Sequence, residues 1–224
     1  MAPGAGLDDG LDLSVLRAAL APWGVRIGAR RIAPGDESAF PAESGAPDNA
    51  ASLLRRRASG AARLVARRLL REIGADVEAP LPRGPAGAPV WPAGVVGSLA
   101  HDDVFAVAAI ALSVNVGGLG VDVEPDEPLP PDVVDLVLDA EEKRQGADGV
   151  GGRVVFACKE AVYKAIHPLD ATPLEYSDIA VRLDEGRATL RDGHALKVFV
   201  SARGRVVCVA LTERPGERPI ATPR

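Results

Sequence analysis

Residues 120–125 read Gly-Val-Asp-Val-Glu-Pro, and residues 156–164 read Phe-Ala-Cys-Lys-Glu-Ala-Val-Tyr-Lys. In the first stretch apolar and acidic residues alternate from Leu119 to Val123, the period of a strand, and Pro125 closes it. Side chains two apart on a strand share a face, so Asp122 and Glu124 present their carboxylates together while Val121 and Val123 face a core. Adjacent carboxylates repel unless a proton or cation lies between them. A hard divalent cation such as Mg2+ suits that arrangement.

The second stretch reads as a helix that stops near Ile166, because Pro168 cannot continue it. Glu160 and Lys164 share one face, and Lys159 and Tyr163 share another. Taken alone, Asp-x-Glu suits a solvated strand end. Lys-Glu-x-x-x-Lys alone suits a surface helix whose ion pairs are worth about 0.3–0.5 kcal/mol each. If the helix packs beside the strand, Glu160 joins Asp122 and Glu124, with the lysines at the rim. Three acids for a metal and lysines for anions is the inventory of phosphoryl transfer.

Working outward, residues 13–20 mark a short helix ended by Pro22, and residues 25–32 a strand carrying Arg26, Arg30 and Arg31. Residues 34–47 read as a loop. A long helix is expected over residues 49–73, started by Asn49 or Ser52 and capped by Gly74, with Leu53, Leu64, Val65, Leu69 and Ile73 buried. Arg56, Arg63 and Arg67 fall on one of its faces. Residues 79–92 form a Pro/Gly loop ending in Trp91-Pro92. Residues 95–100 and 104–114 pair as strands about a turn at His101-Asp102-Asp103, and residues 115–118 form a hinge. Pro131 begins a further helix whose Val133, Val134, Leu136, Val137 and Leu138 serve a core or an exposed patch. Residues 145–152 read as a mobile tract, and strands follow near 179–183, 188–190, 196–201 and 206–211.

The chain has 224 residues, enough for one large domain or two small ones. Aromatics make up only 4%, so the core must be aliphatic. A net charge of −5 argues against a general nucleic-acid binder. Cys158 and Cys208 do not define a disulfide framework. The first residues lack a basic-then-apolar leader, and the apolar run at 104–114 is too short for a bilayer. A cytoplasmic protein without membrane contact is expected. The Pro- and Arg-rich end after Thr212 reads as disordered.

The two signatures resemble those of the 4'-phosphopantetheinyl transferases, in particular the monomeric surfactin- and enterobactin-type enzymes. The interval between Glu124 and Glu160 agrees. The resemblance extends to Trp91-Pro-Ala-Gly-Val-Val-Gly-Ser-Leu-Ala-His101 and to the arginine-rich residues 55–67, and so spans residues 53–179. It implies an α+β fold of two similar halves related by a pseudo-two-fold, residues 1–115 and 116–224, with the active site in the cleft between them. It implies transfer of 4'-phosphopantetheine from coenzyme A to a serine of an apo acyl- or peptidyl-carrier protein, releasing adenosine 3',5'-bisphosphate.

In that reading Asp122, Glu124 and Glu160 hold Mg2+ or Mn2+. Lys164 and Lys159 stabilise the leaving charge and contact coenzyme A. Glu160, or a water on the metal, takes the serine proton. Arg55, Arg63 and the neighbouring Arg56 are matched to coenzyme phosphates, as is His101, with Ser98 beside it. Residues 126–152 would help grip the carrier, in fatty-acid, polyketide, nonribosomal-peptide or siderophore synthesis. The chain departs from the family pattern at Ala58-Ser59, where relatives carry Glu-Phe, at Ala86, where some carry lysine, and at Asp102, where cysteine is frequent. The competing readings are a non-catalytic relative that binds coenzyme or carrier, and another Mg2+-dependent phosphate-processing enzyme.

Overall fold

The computed structural model describes residues 10–40, 50–75, 80–84, 87–144, 150–170 and 173–213. Ala86, the Asn49 cap, residues 1–9 and 145–149, and the end from 214 onward lie outside them.

The fold is α+β. In chain order the elements are α1 (Ser14–Leu20), β1 (Arg26–Arg31), α2 (Ala50–Glu72), β2 (Val95–His101), β3 (Phe105–Leu112), β4 (Gly118–Glu124), α3 (Pro131–Val137), α4 (Ala140–Arg144), α5 (Val150–Asp170), β5 (Ile179–Arg182), β6 (Arg187–Leu190), β7 (Ala195–Ala202) and β8 (Val206–Thr212). One antiparallel sheet has the order β1-β3-β2, and a larger one β4-β8-β7-β6-β5. The halves are thus alike in plan and unequal in size, each a sheet with one long helix on its outer face.

Alternation explains the layers. Leu119, Val121 and Val123 of β4 join Val207, Val209 and Leu211 of β8 in one cluster with Ile27, Ala29, Val107 and Ala109 of the smaller sheet and the leucines of α1. This core crosses the β3–β4 connection where a divide between halves is expected. On the outer faces α2 buries Val65, Ala66, Leu69 and Leu70 against Ala108 and Ile110. Helix α5 buries Ala157, Ala161 and Ala165 beside Cys208 and Ala210. Each buried Val or Leu contributes on the order of 1.5–3 kcal/mol. The aliphatic core expected from scarce aromatics is what forms. Cys158 and Cys208 are both buried thiols, 3.0 Å apart between α5 and β8.

Expected boundaries shift where tertiary contact outweighs local signals. Helix α5 begins at Val150, through Gly151 and Gly152, and runs past Pro168 to Asp170. Proline removes one amide bond near the C-terminus, where little helix remains to break. The segment after Pro131 forms two short helices; Val137 and Leu138 are buried and Leu136 is 69% exposed, so it serves core and surface both. Helix α2 ends as expected, Gly74 at φ +70° and the Ala75 amide donating to the Leu70 carbonyl. Among the described residues no helix is long and apolar enough to cross a membrane.

Candidate active site

Two glycines decide where α5 lies. The even positions of β4 face α5, and a Cβ on Gly120 would stand 1.9 Å from the Ala161 carbonyl oxygen. One on Gly118 would stand 2.5 Å from that of Ala165. Bare backbone lets the helix settle directly on the strand. The next even positions, Asp122 and Glu124, then carry their carboxylates against the same helix.

The three acids each have a hydrogen-bonded partner. The Lys164 ammonium donates to Asp122 Oδ1 at 2.5 Å. Arg153, in the first turns of α5, donates to Glu124 Oε2 at 2.9 Å and to the Glu127 and Pro128 carbonyls. Tyr176 donates its hydroxyl to Glu160 Oε1 at 2.7 Å. Asp122 is 5% exposed, and its Oδ2 is buried without a hydrogen-bond partner. Burial pushes its pKa up to about 7; the charges of Glu124 and Glu160 add to this and Lys164 opposes it. Burial also raises Glu124, against Arg153.

Among the described residues, no three acidic, histidine or cysteine side chains are grouped so as to hold a metal ion as they stand. In this arrangement each of Asp122, Glu124 and Glu160, the acids expected from the sequence to hold the metal, is bound to a donor of its own. Like-charged carboxylates take the nearest donors instead. The donor chemistry nevertheless suits Mg2+: three carboxylates on rigid elements, one with a buried oxygen that no protein group satisfies.

A cleft of about 450 Å³ opens between β2 and β4. Glu160, Tyr163, Lys164 and His167 of α5 line one wall, and Trp91, Val95 and Ser98 the other. Gly97 accommodates the Trp91 ring, which a Cβ there would meet at 2.7 Å. The Trp91 indole N–H is buried without a partner. His101 closes β2 and is exposed at the strand's end; partial desolvation of its ring and the Lys164 charge lower its pKa, with Asp102 opposing both. Asp102, which departs from the family pattern, does not burden the site with free charge. It accepts the Val104 and Phe105 amides and pairs with Arg205 at 2.6 Å.

Other expected residues lie elsewhere. Lys159 is 1% exposed and turned away from the acids, its ammonium bound to the Val137 and Tyr176 carbonyls and to Glu142 at 2.7–3.0 Å. A charge needed for phosphate is committed to structure there, because an amine facing three acceptors in the interior cannot leave them cheaply. Arg55 is exposed on α2. Arg63 is 5% exposed and donates to Ser59 Oγ and the Leu81 carbonyl. Neither these nor the half-buried Arg56 line the cleft. Sequence reasoning missed Arg153, Tyr176 and Arg205. Arg153 was detectable, seven and eleven positions before Glu160 and Lys164 on one helical face. Tyr176 and Arg205 carry no local signal.

An acid-rich strand, a helix bearing acid and lysine, and a cleft between two α+β halves thus meet in one candidate site. A family model described as 4'-phosphopantetheinyl transferase N-terminal domain matches residues 44–111, and one described as 4'-phosphopantetheinyl transferase superfamily matches residues 118–211. Identity is 38% over 138 residues with the 4'-phosphopantetheinyl transferase Svp of Streptomyces mobaraensis, covering 58% of this chain and 56% of that protein. With Npt of Nocardia iowensis it is 37% over 166 residues, 71% of this chain and 74% of the relative. With PptT of Mycobacterium tuberculosis it is 35% over 111 residues, 47% and 49% respectively. The chain thus spans about half the length of two of these relatives and about three-quarters of the third. It belongs to the 4'-phosphopantetheinyl transferase family.

Proposed function

We propose that this chain transfers 4'-phosphopantetheine from coenzyme A to a serine hydroxyl of an apo acyl- or peptidyl-carrier protein, as a cytoplasmic monomer. The observation that carries this is the cleft in which Glu160 and Lys164 meet β2, with Asp122 2.5 Å from the Lys164 ammonium. Family membership supports the reaction class.

In the reaction, the serine Oγ forms a bond to the pantetheine-side phosphorus. The bond from that phosphorus to the bridging oxygen breaks, and its electron pair leaves with adenosine 3',5'-bisphosphate. The serine proton passes to the Glu160 carboxylate, directly or through a water. Lys164 stabilises the charge growing on the leaving oxygen, having exchanged Asp122 for phosphate. Asp122, Glu124 and Glu160 would hold Mg2+ or Mn2+, which supplies neutralisation of the diphosphate. His101 is the group on β2 suited to a coenzyme phosphate, and Ser98 and the Trp91 indole N–H are polar donors for the arm of the coenzyme. Arg55 and Arg56 are the positive charges on α2 assigned to the coenzyme's 3'-phosphate, while Arg63 is held by Ser59 and the Leu81 carbonyl.

The test is incubation with coenzyme A, Mg2+ and a panel of apo carriers, each carrier weighed by intact mass spectrometry. A phosphopantetheine-sized gain that disappears in Glu160→Ala and with EDTA is expected. Coenzyme binding without any gain would identify a binding-only relative.

A further inference from the structure

We propose that Tyr176 is a positioning residue for Glu160, and that Lys159 acts by fixing Tyr176 rather than by touching phosphate. Tyr176 is clamped by consecutive residues of α5. Its carbonyl accepts from the Lys159 ammonium at 3.0 Å, and its hydroxyl donates to Glu160 Oε1 at 2.7 Å. Its ring packs on Phe156, one turn earlier on the same helix, with centroids 5.8 Å apart.

The clamp is anchored in a closed polar network. Lys159 spends its three N–H groups on Glu142, the Val137 carbonyl and the Tyr176 carbonyl. Glu142, 2% exposed, accepts the Asp139 amide on Oε2 and the Val181 amide on Oε1. One buried ion pair thereby joins the end of α3, the start of α4, α5, the turn at Tyr176 and β5. Both charges are satisfied, which is the condition for a buried pair to hold its geometry. The turn is internally braced as well, since Glu175 and Asp178 exchange backbone and side-chain hydrogen bonds.

The consequence lies at Glu160. This residue and Tyr163 line both the cleft beside β2 and a second hollow of about 650 Å³ beneath Leu136 and Leu174. Between two hollows a glutamate has room for several rotamers. The phenol takes Oε1 and leaves the other oxygen for a cation or for the serine proton. Hydrogen bonds of this kind to a ligating carboxylate fix its orientation, and losing one costs roughly 10–100-fold in metal affinity or activity.

Tyr176→Phe keeps the ring and its packing and removes only the hydroxyl. The expected result is a fall in kcat of about 10–100-fold with KM for coenzyme A within about twofold, melting temperature unchanged, and Mn2+ binding to the free protein weakened about tenfold. Lys159→Met is expected to lower the melting temperature markedly, because Glu142 is left buried without its cation. The activity arm rests on the transferase reading; the Mn2+ titration does not. If wild type modifies carriers and Tyr176→Phe matches it in kcat and Mn2+ affinity, the positioning role is wrong. If wild type modifies no carrier, the transferase reading fails, and the Mn2+ comparison alone decides the role of Tyr176.

Discussion

Helices α2 and α5 look alike in the sequence, 23 and 21 residues long, each with an apolar stripe and a motif of charges. The structure separates them. Helix α5 turns Glu160 and Lys164 into a cleft, whereas α2 turns Arg63 onto its own Ser59 and the Leu81 carbonyl and leaves Arg55 in solvent. The cause is what each helix meets. Both make contacts that only glycine allows: a Cβ on Gly120 would stand 1.9 Å from the Ala161 carbonyl of α5, and one on Gly60 of α2 would stand 1.9 Å from the Asp36 carbonyl. The Gly120 contact sits two positions from Asp122, a buried acid with one oxygen left without a hydrogen-bond partner, while the Gly60 contact is to Asp36, a buried acid already bound by Arg30 and the Ala33 amide. A close approach becomes a candidate site only where the acid beside it is left unsatisfied by its own fold.

The widest expected difference between the helices is in turnover. Glu160→Gln and Lys164→Met should each lower kcat/KM for carrier modification by about 10³-fold or more, because the proposed reaction has both act on the reacting groups. Arg55→Ala should cost tenfold or less, appearing in KM for coenzyme A. A thousandfold loss from Arg55→Ala would place α2 at the chemistry and break the contrast.

Next come the glycines. Gly120→Ala and Gly60→Ala each force a backbone carbonyl to move, at about 1–3 kcal/mol, which lowers the melting temperature by roughly 2–12 °C for a chain of this size. Only Gly120→Ala should also reduce kcat, because α5 carries Glu160 and Lys164 away with it. Thermal melts beside single-turnover rates check both halves of that statement. Arg63→Met should cost about 1–3 kcal/mol by stranding the buried Leu81 carbonyl, visible in urea unfolding. Its kcat should stay near wild type.

A further difference concerns pH. Asp122 has its pKa raised to about 7 in the fold, above the ordinary carboxylate value. A raised group contributes stability fully below its unfolded pKa, and loses it as pH rises through the folded one. Metal-free wild type should therefore lose stability from about pH 4 to pH 7 relative to Asp122→Asn. Melting curves of the two proteins without divalent cation should diverge as pH rises. Parallel curves would mean that Lys164 already compensates the buried charge.

Much of this was legible from local pattern. The alternation through Leu119–Glu124 gave β4 with its acids on one face and valines in the core. Periodicity gave α2 and its glycine cap, and the strand runs of the second half fall within a residue or two of β5–β8. Pattern failed at long range. Pro168 and the glycines at 151–152 read as breaks, yet contact with β4 and β8 holds α5 through them. Lys159 and Lys164 are equivalent as letters in one motif. Only packing reveals that one faces Glu142 in the interior and the other Asp122 beside the cleft.

The sequence by itself determined the elements, the candidate residues for phosphate chemistry and the family, because these depend on periodicity and on motifs carried by contiguous residues. The tertiary structure decided which charges remain for chemistry and which are bound into the scaffold. It brought Arg205 to Asp102 and Tyr176 to Glu160, and it turned Lys159 and Arg63 inward. The physical reason is that a charged group's role depends on the partners and the desolvation it meets. Those are supplied by residues far apart in the chain, and no local spacing encodes them.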